Sequence, residues 1–158
     1  MIFSEYIFNG KLLDNVVGDD VDLVKENSRL DIIQEEEGDI PGLYRLSCNG
    51  NYFQITTIKN RIVGIEFDFE YDTEKKYLLR DKELDFYIGY TTTYEDCIEF
   101  LTTCNVNFKA TDFDENNSQI LIIKSNLILR FYKQSKNKTL FKASIFNLEL
   151  YNSLINTN

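Results

Sequence analysis

The sequence contains no histidine and no tryptophan, and it has one proline among its 158 residues. The absence of histidine excludes Ser-His-Asp and Cys-His catalytic sites and histidine-ligated metals, and it removes the commonest general base. The chain also lacks a G-x-x-x-x-G-K-[ST] phosphate-binding loop and a G-x-G-x-x-G dinucleotide motif. These absences predict a protein that is not an enzyme and that uses no cofactor.

Cysteine is scarce as well. The three thiols, Cys48, Cys97 and Cys104, are an odd number without a C-x-x-C pair, so neither a disulfide framework nor a zinc site is predicted. Reduced thiols are typical of the cytosol. The first residues do not form a secretory signal, and no apolar run approaches the roughly 20 residues of a membrane span. The sequence therefore predicts a cytoplasmic protein with no membrane contact.

Basic residues are outnumbered, with 17 Lys and Arg against 26 Asp and Glu and a formal net charge of −9. This balance argues against direct binding to nucleic acid or to an anionic membrane, because both require basic side chains. A basic protein is the partner that such a charge favours, since opposite potentials steer encounter. The simpler interpretation is that the charge only maintains solubility.

The clearest local pattern is a run of three strands joined by two short turns. Asn-Gly and similar dipeptides between alternating segments are typical of antiparallel hairpins. The predicted strands are Leu43–Cys48, Asn51–Ile58 and Arg61–Tyr71, with turns at Asn49-Gly50 and Lys59-Asn60. These segments predict an antiparallel meander.

An amphipathic helix is predicted after the meander. Thr92 and Glu95 have the spacing of a capping box, in which each residue's side chain bonds to the other's backbone N–H. Apolar residues then recur at the period of one helix face, at Tyr94, Cys97, Ile98, Leu101 and Cys104. Asn105 suits the helix end. We expect this face to pack against a sheet.

The remaining segments complete an α+β prediction. Residues 84–91, 107–113, 119–124, 127–133 and 139–146 are predicted strands, and residues 148–155 a terminal helix. Residues 5–13 are interpreted as a strand pair around Asn9-Gly10, residues 19–25 as a short helix capped by Asp19 or Asp20, and residues 72–81 as a loop or an irregular edge. We predict one domain, 1–158, with a mainly antiparallel sheet and at least one amphipathic helix on one face.

Two acidic segments are candidate binding sites. In the third strand, Glu66, Asp68 and Glu70 alternate with apolar residues, so they should share one sheet face at a spacing of about 7 Å. This face is either solvated, with basic cross-strand partners, or a surface that binds cations. The second segment is Glu35, Glu36, Glu37 and Asp39. It is either a docking segment for Lys and Arg or a solvated loop, which charge runs usually are.

Other candidate sites are weaker. Glu66 and Asp68 could form a glycosidase-like carboxylate pair, but a plain alternating strand and the absence of tryptophan argue against it. Asp112-x-Asp114-x-Asn116 begins like a calcium loop, yet Asn117 and Ile123 replace the required Gly and Glu, so no metal is predicted. Tyr52, Tyr87 and Tyr90 are either interface anchors or packed residues.

The stretch Leu43-Tyr44-Arg45-Leu46 through Ile62-Val63-Gly64-Ile65-Glu66-Phe67, with the helix and β-rich tail that follow, resembles in general style the immunity proteins of bacterial polymorphic and contact-dependent toxin systems. The resemblance implies a cytosolic inhibitor that binds a basic toxin domain, such as a nuclease. The predicted partner-binding residues are Glu35, Glu36, Glu37, Asp39, Glu66, Asp68 and Glu70.

Two other functions stay open on the sequence. One is a small-ligand-binding or regulatory domain with a pocket between helix and sheet. The other is a hydrolase that uses carboxylates alone. The sequence does not indicate the oligomeric state.

Overall fold

A computed structural model of the chain describes residues 2–12, 16–22, 24, 29–48, 50–81, 84–112, 114–133 and 139–156. The fold is α+β, with a mainly antiparallel eight-stranded sheet, a two-stranded sheet and helices, and this confirms the predicted fold class. None of the helices in these ranges has the length and apolar character that crossing a bilayer requires.

The described elements have the following bounds. The helices are α1 (Ile2–Asn9), α2 (Tyr94–Thr103) and α3 (Leu148–Ile155), with a 3₁₀ turn at Phe69–Tyr71. The strands are β1 (Arg29–Gln34), β2 (Gly42–Cys48), β3 (Asn51–Ile58), β4 (Arg61–Asp68), β5 (Lys76–Asp81), β6 (Leu84–Gly89), β7 (Phe108–Asp112), β8 (Asn117–Ile122), β9 (Leu127–Tyr132) and β10 (Thr139–Phe146). The larger sheet has the strand order β1-β2-β3-β4-β10-β9-β8-β7, and β5 pairs with β6.

The chain divides into two compact units. The first unit comprises Met1–Lys11 and Asp68–Ala143, and the second comprises Leu12–Phe67 and Ser144–Asn158. Strand β10 contributes residues to both units. The expectation of a single domain, 1–158, stays a prediction.

The predicted meander is present in the second unit as β2, β3 and β4. Lys59 and Asn60 both have positive φ angles, 48° and 62°, as the two central residues of a type I′ turn require. The same turn type was predicted at Asn49-Gly50, but Asn49 lies outside the described residues. Strand β1 adds to this meander by pairing antiparallel with β2.

The third predicted strand is shorter than expected, because β4 ends at Asp68 and not at Tyr71. The Asp68 side chain accepts a hydrogen bond from the Glu70 N–H at 2.8 Å and caps a 3₁₀ turn. Phe69 is buried, as the predicted alternation requires, but Tyr71 is 79% exposed because side chains do not alternate in a 3₁₀ turn. The prediction that Glu70 continues a carboxylate row along the strand is therefore wrong.

Helix α2 is confirmed, although its cap is shifted by one residue. The capping box joins Thr93 and Asp96, not Thr92 and Glu95. Thr92 is instead buried, and its hydroxyl accepts a hydrogen bond from the Gly89 N–H at 2.8 Å. At the other end, Asn105 has a φ of 56°, as expected of a residue that ends a helix.

The buried face of α2 packs on the first unit's sheet. Cys97, Leu101 and Cys104 are buried as predicted, together with Phe100, which the predicted stripe did not include. Tyr94 contacts Phe131 of β9 edge to face, with ring centroids 5.3 Å apart. The expectation of a helix packed on a sheet face is therefore confirmed.

The hairpin predicted at the N-terminus is wrong, because residues 2–9 form helix α1. Gly10 has a φ of 67°, and its N–H donates to the Tyr6 carbonyl at 3.1 Å, which ends the helix. Tyr6 is fully buried, and its hydroxyl donates to the Ala143 carbonyl at 3.0 Å. Glycine at a positive φ serves a hairpin turn and a helix end equally well, and burial of this helix face favours the helix.

The other expectations hold in part. Residues 72–81 were interpreted as a loop or an irregular edge, and Lys76–Asp81 is a strand that pairs with β6. The Asp20 side chain accepts from the Asp22 N–H at 2.9 Å, which fits the predicted helix cap, while Lys25 lies outside the described residues.

We expect Gly64→Ala to lower the free energy of unfolding by about 1–2 kcal/mol. A Cβ at this position would lie 2.7 Å from Phe146 Cδ2, so the ring or the backbone must shift. Urea unfolding would measure the change. The penalty should shrink in a Phe146→Ala background, and an equal penalty in both backgrounds would contradict this packing.

Candidate functional site

The acidic segment between β1 and β2 is a tight turn. The backbones of Glu37 and Ile40 exchange two hydrogen bonds, of 3.2 and 2.9 Å, and Gly38 between them has a φ of 60°. Glu35, Glu37 and Asp39 are exposed. The turn thus holds three carboxylates in water on a defined backbone.

Glu36 differs from its neighbours, because its carboxylate faces the protein. Its Oε2 atom accepts hydrogen bonds from the Thr57 hydroxyl at 3.0 Å and from the Asn60 N–H at 3.2 Å. Thr57 is fully buried at the end of β3, and Asn60 lies in the turn that follows. Glu36, which is also a predicted partner-binding residue, connects the acidic turn to the β3–β4 turn.

A glycine provides the space for this contact. Gly42 begins β2 and lies opposite Thr57 in the sheet register. A Cβ on Gly42 would lie 2.5 Å from Thr57 Oγ1 and 3.2 Å from Glu36 Cβ. Any larger side chain at position 42 would therefore push apart the two groups that hold the acidic turn.

Asn60 connects the acidic turn to a second acidic segment. Its Nδ2 atom donates to Asp20 Oδ1 at 2.6 Å and to Asp22 Oδ2 at 2.8 Å. Its backbone N–H donates to Glu36, so one asparagine binds carboxylates from two distant parts of the sequence. The sequence analysis interpreted Asp20 only as a helix cap and did not find this link. The one feature of the sequence that hints at this link is the asparagine in the turn at Lys59-Asn60.

Exposed isoleucines flank the acidic turn on both sides. Ile32 and Ile33 in β1 and Ile40 after the turn are 60%, 49% and 51% exposed. The register between β1 and β2 shifts between Ile32 and Gln34, which leaves Ile33 in a bulge. A bulge changes the direction in which the side chains of a strand point. Ile32 and Ile33 can therefore both be exposed although they are neighbours in the strand. Sequence reasoning missed these residues, although all of them lie within three positions of the charged run.

We call the combination of apolar and acidic groups the β1–β2 surface. It consists of Ile32, Ile33, Glu35, Glu37, Asp39 and Ile40, all in the second unit. In the strand order, β1 stands at the end of the larger sheet, beside β2. Apolar side chains surrounded by charged ones are the usual composition of a protein interface. This is the strongest candidate binding surface in the described part of the chain.

The three other predicted partner residues do not form one surface row. Glu66 is half-buried on β4, opposite Gln54 in the register. Asp68 caps the 3₁₀ turn, and Glu70 accepts a hydrogen bond from the Tyr132 hydroxyl at 3.1 Å. Partial burial and this hydrogen bond raise the pKa of Tyr132. Asp68 and Glu70 therefore have roles within their own unit.

The tyrosines singled out from the sequence separate into two groups. Tyr52 and Tyr87 are exposed, while Tyr90 is half-buried. The Arg45 guanidinium lies over the Tyr52 ring, 5.9 Å from its centroid, on paired strands of the second unit. Such a contact contributes about 0.5–1 kcal/mol at an exposed site.

The segment that begins like a calcium loop is an ordinary turn. Hydrogen bonds from Asn117 and Asn116 to the Asp114 carboxylate hold the pKa of Asp114 below its usual range. Asp112 accepts from the Ser118 hydroxyl at 2.9 Å and pairs with Lys133 at 3.3 Å. Within the described ranges, no group of three His, Cys, Asp or Glu residues is placed to hold a metal ion.

The cysteines are free thiols. Cys97 and Cys104 are buried, and Cys48 is half-buried. Burial raises the pKa of the Cys97 thiol far above its usual range. A fully buried thiol with such a pKa is not an activated nucleophile.

No protein-family model, curated protein or solved structure matches this chain.

Substitution can separate the two kinds of acidic residue. Glu36→Ala should lower the free energy of unfolding by about 1–3 kcal/mol, because the buried Thr57 hydroxyl loses its acceptor. Glu35→Ala, one residue away and exposed, should change it by less than about 0.5 kcal/mol. Urea unfolding of the two variants measures the difference. Equal effects would show that Glu36 does not anchor the turn.

Proposed function

We propose that this protein is a toxin-neutralising immunity protein, which binds and inhibits a cognate, basic bacterial toxin domain in the cytoplasm. The observation that carries the proposal is the β1–β2 surface, where exposed isoleucines lie within a few residues of three exposed carboxylates. Such a surface suits a partner with an apolar contact region and a basic rim. The resemblance to immunity proteins in the sequence adds to this argument.

The negative charge of the surface favours a partner with positive charge. Glu35, Glu37 and Asp39 are exposed carboxylates within five consecutive positions, in a chain of net charge −9. Opposite charges on a partner would steer encounter and raise the association rate by about 10 to 10³-fold at low ionic strength. The carboxylates therefore favour a toxin domain rich in Lys and Arg, as nucleases that bind phosphate backbones are.

The isoleucines supply the part of the affinity that charge does not. Burying a whole Ile side chain contributes about 1.5–3 kcal/mol. Ile32, Ile33 and Ile40 are about half exposed, so each has roughly 1 kcal/mol still to gain on contact with a partner. An exposed charge pair contributes only about 0–1 kcal/mol. We therefore assign most of the lifetime of the complex to the isoleucines.

The anchoring of the acidic turn supports the proposal as well. The Glu36 contacts and the backbone bonds of the Glu37–Ile40 turn fix the surface in the free protein. A surface that is already ordered loses less conformational entropy on binding. The turn is thus suited to rapid and tight capture of a partner.

A small-ligand-binding or regulatory domain is the second candidate function. It is favoured by a groove beside helix α2 that contains two stacked phenylalanine rings, Phe86 and Phe100. The two functions use different residues, so they are tested separately.

The charges and the isoleucines should act on different rate constants. Replacing Glu35, Glu37 and Asp39 together with Ser should slow association with the toxin domain about tenfold at low salt and weaken its salt dependence. Replacing Ile32 and Ile33 with Ser should speed dissociation by about tenfold or more, since apolar contacts at the interface are lost. Surface plasmon resonance at several salt concentrations measures both.

A matched control removes the same number of charges elsewhere. Glu74, Glu95 and Glu115 are exposed carboxylates of the first unit, and their triple Ser variant should leave the association rate within about twofold. If this control and the β1–β2 variant slow association equally, net charge and not the surface determines binding.

The function itself is tested in cells. We expect the gene to follow directly after one that encodes a large secreted protein with a variable C-terminal domain. Expressing that domain alone should kill bacteria, and co-expressing this protein should restore growth. Growth arrest that persists despite soluble expression of both proteins would refute the immunity function.

A further inference from the structure

A shallow groove lies beside helix α2 in the first unit. Its volume is about 240 Å³, and it is lined by Leu84, Asp85 and Phe86 of β6 and by Asp96, Glu99, Phe100 and Thr103 of α2. Pockets for drug-sized ligands begin at about 300 Å³. This groove is therefore of a size for a small ligand of about ten non-hydrogen atoms.

The floor of the groove is aromatic. The rings of Phe86 and Phe100 stack with centroids 4.4 Å apart and planes inclined by 13°. Phe100 is buried, and it also contacts Phe8 of α1, with centroids 6.2 Å apart. Phe86 is half-buried, so it is the ring of the stack with surface left for a ligand. An aromatic ring offers a flat apolar surface against which a second ring can stack.

The rim of the groove is acidic, and its three carboxylates differ in their hydrogen-bond and ion-pair partners. Asp85 forms a two-pronged contact with Arg80, at 2.6 and 2.8 Å. Asp96 accepts the Thr93 N–H in the capping box at 3.2 Å. Glu99 is exposed, and its carboxylate has no hydrogen bond or ion pair among the described residues. Among the residues that the structure describes, no basic side chain lines the groove, so no lining residue neutralises the charge of Glu99.

We propose that this groove binds a small organic monocation with a flat apolar body, of the arylalkylammonium class. The aryl group packs against Phe86, and the ammonium group lies beside Glu99. Both recognition elements come from residues held by secondary structure, one on β6 and one on α2. The proposal does not depend on binding of a toxin through the β1–β2 surface, because the two sites share no residue.

The probe for this site is benzylammonium chloride, added to the whole protein in a ¹H–¹⁵N correlation NMR titration. We expect saturable shifts of amides in residues 84–86 and 96–103, with a dissociation constant on the order of 1 mM for so small a ligand. Benzyl alcohol has the same ring without the charge and should bind at least about fivefold more weakly. Equal binding of the two compounds, or shifts that do not saturate, would overturn the proposal.

Three variants separate the charge from the ring. Glu99→Gln should weaken benzylammonium binding about two- to fivefold, the range for an exposed charge pair. Phe86→Leu keeps apolar bulk but removes the ring on which the aryl group stacks, and a similar loss is expected. Glu95→Gln is the control, since Glu95 lies on the same helix but does not line the groove.

The variants also give results that would contradict the site. If Glu95→Gln weakens binding as much as Glu99→Gln, the probe responds to general charge and the assignment is wrong. If Phe86→Leu keeps a dispersed NMR spectrum and unchanged affinity, the aromatic floor has no part in binding and the proposal is likewise wrong.

Discussion

The hydrogen bond from the Thr57 hydroxyl to Glu36 determines where the acidic turn lies. The hydroxyl is fully buried at the end of β3, so the carboxylate that accepts from it must come to it. The Asn60 N–H donates to the same oxygen, and Gly42 leaves the space for this approach. A buried donor without an acceptor costs about 1–3 kcal/mol, which is enough to hold a short turn in one place.

Because of this contact, the acidic residues of the turn have two different roles. Glu36 is satisfied inside the second unit, while Glu35, Glu37 and Asp39 are exposed. Neighbouring carboxylates repel one another. If none of them were bound to the rest of the unit, the turn could open in water at little cost in free energy. Fixing one charge keeps the others beside the isoleucines. The stability of the turn and the proposed binding surface thus depend on the same residue.

Sequence reasoning recovered the elements whose signals are local. The tight turn at Lys59-Asn60, the strands β2 and β3, and the apolar period of α2 each have a signal within a short window. It failed where a local signal fits two structures. Asn9-Gly10 suits a hairpin turn or a helix end, and the choice depends on the burial of Tyr6. The apparent alternation through Tyr71 ends because the Asp68 side chain bonds to its own turn.

The candidate site was predicted only as a charged segment. Nothing local distinguishes Glu36 from Glu35 or Glu37, because its partner Thr57 is 21 positions away in the sequence. The exposure of Ile33 depends equally on a bulge in the pairing of β1 with β2. Composition therefore singled out this segment, but the contacts of its individual residues follow from the pairing of strands.

Hydrogen exchange of this protein, alone and bound to its proposed toxin partner, tests the central claim most directly. A bound partner on the β1–β2 surface should slow exchange of amides in residues 31–40, including those at Ile33 and Glu35, whose side chains are exposed in the free protein. Protection confined to other segments, with unchanged exchange across residues 31–40, would contradict the account.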